Sequence, residues 1–139
     1  MDHDTFIGEV QNRAELASRG AALSASRATL EALGDRIQEG EATDLAAQLS
    51  DELGHYLEDH AATTEAFGFE EFVERVAERD ESVSGDEDRS TAAFHARTVV
   101  DVLSEAVSEG EFSELRNALP EEYDPLFEIA DADEHPGPG

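Results

Sequence analysis

Cysteine is absent from the 139 residues, which excludes disulfides and thiolate chemistry and, with them, the commonest zinc sites. Lysine is absent too, so the nine basic residues are all arginine. They are scattered along the chain and face 35 acidic residues, a balance that argues against a basic nucleic-acid-binding face. No apolar run approaches the roughly 18 residues of a membrane span. The start, MDHDTF, is acidic where a secretory signal would be basic and then apolar. Nucleophile elbows, phosphate loops, EF-hand loops and dinucleotide fingerprints are also missing. The expectation is a cytoplasmic protein with no cofactor, no catalytic or metal site, and neither nucleic acid nor membrane as partner.

The net charge of −26 is spread over the whole chain. In dilute buffer such a charge destabilises a compact state by self-repulsion. At 1 M salt the Debye length shrinks to about 3 Å, and the surface carboxylates are largely screened from one another. The composition therefore points to a salt-loaded cytosol; mimicry of a nucleic acid is the minor alternative, because that role would gather the acids together. Helicity measured by circular dichroism in molar salt is expected to fall at about 0.1 M, where the Debye length is roughly 10 Å. Unchanged helicity would mean that the acidity serves another purpose.

What the chain does contain is itself, twice. Arg27 to Leu57 is written again from Arg97 to Phe127 without a gap: Arg27 matches Arg97, Leu33 matches Leu103, Glu39-Gly40-Glu41 matches Glu109-Gly110-Glu111, and Leu49 matches Leu119. Upstream, Phe6, Val10 and Arg13 match Phe72, Val76 and Arg79 at a shorter offset, so the second copy carries four extra residues near Ser82 to Asp88. A half of about 60 residues is marginal alone, and repeats of this kind bury their apolar faces against each other. One domain over residues 1–130 is expected, with repeats at 4–60 and 69–129, a small polar linker at 61–68, and a disordered tail at 131–139.

The periodicity is helical throughout. Phe6, Ile7 and Val10 line one side of a first helix, with Asp4 as its expected cap. Leu23, Leu30, Leu33 and Ile37 stripe the longest helix, which Ser18 should cap and Gly40 should end near Glu39. A short helix over 41–48 and a fourth from Ser50 to about His60 complete the first copy. In the second copy Ser90 is the expected cap of the long helix, Gly110 its terminator, and Pro120 stands where Ser50 stood. The fold class is all-α: two tandem pseudo-symmetric repeats of about four helices sharing one core.

These residues carry a family resemblance. Phe6 and Val10, then Arg27-Ala28-Thr29-Leu30, Gly40-Glu41-Ala42, and Leu49-Ser50 to Leu57 follow a half-repeat that recurs as Phe72 and Val76, Arg97-Thr98-Val99-Val100, Gly110-Glu111-Phe112, and Leu119-Pro120 to Phe127. The pattern resembles that of domain of unknown function family 2267 from about Asp4 to Ile129, with Ser50 where proline would be usual. The resemblance implies an all-helical fold and no established activity.

Arg27 and Arg97 are the candidate site residues. Related by the duplication, they would either converge on an anion or pair with carboxylates of neighbouring helices such as Glu9, Glu41, Glu74 or Glu111, stems against the core. His55 and His60 stand five apart, off the three-or-four spacing of a helical metal pair, and read as a solvated helix end. His95, next to Phe94 and Arg97, is expected at the surface or half-buried. Carboxylates are too abundant for any pair to stand out. The function expected is a non-enzymatic helical module that binds an unidentified protein partner, with anion binding or sensing at the junction of the repeats as the alternative.

Overall fold

The computed structural model describes residues 1–62, 64–83 and 88–134. Among them the chain forms α1 (His3–Arg13), α2 (Arg19–Arg36), α3 (Glu39–Ala46), α4 (Asp51–Glu58), α5 (Phe69–Arg79), α6 (Asp88–Ala106), α7 (Glu109–Ala118), a 3-10 helix (Glu121–Phe127) and α8 (Glu128–Glu134), with no strand. No described helix is long and apolar enough to cross a membrane. The starts of α1 and α5 lie 66 residues apart and those of α3 and α7 lie 70 apart, the offsets at which the sequence matches itself.

Serine oxygens start three of these helices by accepting from a backbone N–H that the first turn leaves unpaired. Ser18 accepts from Ala21, Ser50 from Leu53 and Ser108 from Glu111. α1 is capped by Asp2 and not by Asp4, which falls inside the helix. Ser90 likewise lies inside α6, which begins at Asp88. The largest departure from expectation concerns Gly40 and Gly110. Neither ends a helix; each is the second residue of the following one, α3 or α7. α2 instead stops where Ile37 turns extended, and Gln38 at once becomes the N-cap of α3. A two-residue joint leaves no place for a left-handed glycine. The described non-glycine residue with positive φ is Glu15, at 55°, and it closes α1 with Leu16 N–H bonding the Gln11 carbonyl.

The apolar stripes of both copies meet in one core. Phe6, Leu30, Leu33, Leu45 and Leu57 from the first half and Phe72, Val99, Leu103, Leu115 and Phe127 from the second belong to a single buried cluster. α2 packs against α1, α4, α5 and α6, so the longest helix of one half lies at the centre of the whole. The linker is fastened from both sides. The Phe67 carbonyl accepts from Arg36 Nε at 3.0 Å and from the Tyr123 hydroxyl at 2.7 Å. Thr64 Oγ1 donates to the Ile37 carbonyl, and Phe69 N–H to Glu122.

The tail is shorter than expected, because α8 continues to Glu134 and Asp131 takes a two-pronged ion pair from Arg116. Residues 135–139 and most of the inserted loop, 84–87, lie outside the described residues.

Candidate functional site

In a chain this acidic an arginine finds a carboxylate easily, and seven of the nine do so. The exceptions are therefore informative. Arg36 gives its Nε to the Phe67 carbonyl and lies 5.7 Å from the Tyr123 ring centre. Arg97 gives its Nε to the Pro125 carbonyl at 2.9 Å and has no carboxylate partner among the described residues. It lines a cavity of about 310 Å³ between α5 and α6, together with Phe69, Glu70, Val73, Ala93, Ser90 and Arg89; Glu70 forms no ion pair with it. Arg89 is itself paired with Glu74. Phe94, one helical turn from both Ser90 and Arg97, is 38% exposed, whereas the other phenylalanines of α5 and α6 are more deeply packed. The groove thus combines an apolar floor with a guanidinium that no carboxylate of the described residues engages, and the exposed Phe94 ring lies outside its lining.

Arg27 sits elsewhere. It is 60% exposed, bridges to Glu31 on its own helix at 3.0 Å, and lies 5.7 Å from the Tyr56 ring centre. Its cavity, about 340 Å³, is also lined by Ser24, Arg79 and Glu81. Arg27 and Arg97 therefore face different cavities, and neither pairs with Glu9, Glu41, Glu74 or Glu111.

Two histidines are placed differently from expectation. His95 is buried, and its Nδ1 lies 2.7 Å from Asp80 Oδ2. Burial pushes the Asp80 carboxyl up, but the bonds from His95 and Ser82 outweigh it and hold the group below its usual range. His60 is not a loose helix end, since its Nδ1 stands 2.8 Å from Asp35 Oδ1. The other Asp35 oxygen accepts from Arg75 at 3.0 Å and Arg79 at 2.8 Å, tying α2 to α5. A similar fastening joins α1 to α6: Arg13 reaches Asp101 at 2.8 Å and Glu105 at 2.5 Å.

Residues able to hold a metal lie between α3 and α7. One carboxylate oxygen each from Glu41, Glu111 and Glu114 lies within 4.8 Å of the others. Burial, the neighbouring Glu111 and further acids push the Glu41 carboxyl up to about 7. Glu111 is also raised, first by burial. Composition hid this cluster, but the duplication marked it, because Glu41 and Glu111 occupy equivalent positions and so do Asp44 and Glu114.

A family model described as "Uncharacterized conserved protein (DUF2267)" matches residues 3–126. The chain belongs to this family. No curated protein matches it. For this DUF2267 member the match spans α1 to the 3-10 helix and so includes the α5–α6 groove, the Asp35 hub and the three glutamates. The family description carries no activity, so the chemistry of the groove must be argued from its own residues.

Proposed function

We propose that the chain is a non-enzymatic interaction module of a salt-loaded cytosol, of a haloarchaeal, acidic type, that docks a partner protein in the α5–α6 groove. The observation that carries this reading is Arg97, a half-buried guanidinium that pairs with no carboxylate among the described residues of a very acidic chain. Beside it lie Phe69, Val73 and Ala93, the apolar ground on which a side chain can seat. The matching partner segment presents an apolar side chain next to a carboxylate. In molar salt the net charge of the module does not repel such a segment at long range, while contact pairs survive screening better.

The scaffold is read as two pseudo-symmetric repeats. Supporting this are the equivalent ion pairs: Arg13 of the first copy holds Asp101 and Glu105, and its counterpart Arg79 holds Asp35, with Glu31 4.0 Å away. These four acids are themselves matched by the duplication.

Capture from a lysate kept in molar salt tests the groove. A partner is expected with the wild-type chain and with Arg27→Ala, but not with Arg97→Ala or Ala93→Glu, all with the same helical circular dichroism. Peptides tiled across the captured partner should then locate an acidic and apolar segment. Retention by both groove variants, or a basic segment, refutes the reading.

The second reading, small-molecule anion binding at the junction of the copies, draws on a different observation. Arg79 shares the Arg27 cavity, and its Nη1 is buried without a hydrogen-bond partner. An anionic metabolite retained by the wild-type chain and released by Arg27→Ala would favour it.

A further inference from the structure

We infer that Glu41, Glu111 and Glu114 form a binding site for a hard divalent cation, Ca²⁺ in the first place, that ties α3 to α7. The three carboxylates come from two helices and present one oxygen each within 4.8 Å of the others. Oxygens so spaced fit on a coordination sphere of 2.3–2.6 Å radius, the range of Ca²⁺, and the remaining positions fall to water. Mg²⁺ demands near-ideal octahedral geometry at 2.0–2.1 Å and dehydrates reluctantly, so it is the poorer fit to carboxylates on two helices. An all-carboxylate donor set selects such hard ions over zinc or copper.

Glu111 supplies the independent sign of a ligand. It is only 9% exposed, and its Oε1 is buried with no hydrogen-bond partner; the same holds for Glu41 Oε2. A carboxylate buried in this way normally has a cation or a donor beside it. Here the neighbours are acidic: Glu41 and Glu111 contact each other at hydrogen-bond range, and Glu114 and Asp44 add further negative charge. No arginine forms an ion pair with any of the three glutamates among the described residues. A cavity of about 440 Å³ lined by Gln38, Thr64 and Ala118 is also lined by Glu41. Arg36 also lines that cavity, with its Nε on the Phe67 carbonyl.

The duplication gives the site its meaning. Glu41 and Glu111 are the same position in the two copies, so one ion between them fastens equivalent helices across the repeat. The site is independent of the α5–α6 groove and of what docks there.

Isothermal titration of the chelator-treated full chain with CaCl₂ in molar KCl, above neutral pH, tests the inference. One Ca²⁺ per chain is expected, with MgCl₂ binding more weakly. Glu111→Gln and Glu41→Gln should weaken Ca²⁺ binding by about tenfold or more, while Glu65→Gln, an exposed carboxylate elsewhere, leaves it unchanged. Ca²⁺ should also raise the melting temperature of the wild-type chain and not that of Glu111→Gln. No heat at millimolar CaCl₂, or equal binding by Glu111→Gln, overturns the proposal. The first result would leave a shared proton as the bridge between the carboxylates, and the second would mean diffuse binding to the acidic surface.

Discussion

Replacing Asp35 by alanine is expected to destabilise the fold by about 3 kcal/mol, toward the low end of what breaking a buried ion pair costs. The carboxylate is 6% exposed and serves three partners from two directions, Arg75 and Arg79 on α5 and His60 beyond α4. Removing it leaves Arg79 with Glu31 at 4.0 Å as its remaining acidic neighbour. The guanidinium side chains are 17% and 28% exposed, so water recovers part of the loss. For a chain of this size that is roughly a 10 °C fall in melting temperature. Glu65→Ala, at an exposed rim partner of Arg75, should cost far less, and its effect should vanish in molar salt. If the two variants melt alike, Asp35 is not the hub.

The same residue fixes a pH dependence. Burial raises the Asp35 carboxyl, but the bonds from His60, Arg79 and Arg75 more than offset it, and the net shift is downward. A carboxyl that holds its proton less tightly in the folded than in the unfolded state contributes stability above its unfolded value, about 3.9. That contribution is lost as pH falls below this value through the folded one. Asp35→Asn should therefore flatten the acid limb of the stability curve while leaving its slope near neutrality unchanged. Chemical denaturation followed across pH 3 to 7 would show it.

Gly34→Ala should be the second severe change, at about 2 kcal/mol or more, although alanine is the better helix former by roughly 1 kcal/mol. A Cβ at this position would overlap the Leu57 carbonyl oxygen and stand 3.0 Å from the His60 Cβ. The main obstacle is backbone, so relief requires α4 to move off α2 and to disturb the His60 contact with Asp35 on the way. Gly40→Ala makes the clean comparison. Nothing lies within 4 Å of its Cβ, and that variant should be neutral or slightly stabilising. Equal melting of the two variants would mean that α2 and α4 are not held as closely as the glycine implies.

Gly34 and Gly40 also show where reading residues in order succeeds and where it stops. Gly40 looked like a helix terminator because it follows an amphipathic stripe, yet the helix ends three residues sooner, at a joint too tight to need it. Gly34 carried no local signal, since its constraint comes from a carbonyl 23 residues away. Ser18 was legible as a cap because capping involves only neighbours along the chain. His60, His95 and Asp35 were not, because their partners come from other helices. The groove at Arg97 lay partly within reach: the duplication singled out the arginine, but that no described carboxylate pairs with it emerges only when its neighbours are in place.

The sequence by itself determined the all-helical class and the apolar residues of the core, since both follow from periods of three and four residues. Tertiary structure decided which of the 35 acids and nine arginines meet. That choice depends on distances of a few ångströms between side chains far apart in the chain, and on burial, which turns a repeated glutamate into a pair of carboxylates facing each other across α3 and α7. Charge is interchangeable along an acidic chain, and only packing makes one carboxylate different from the next.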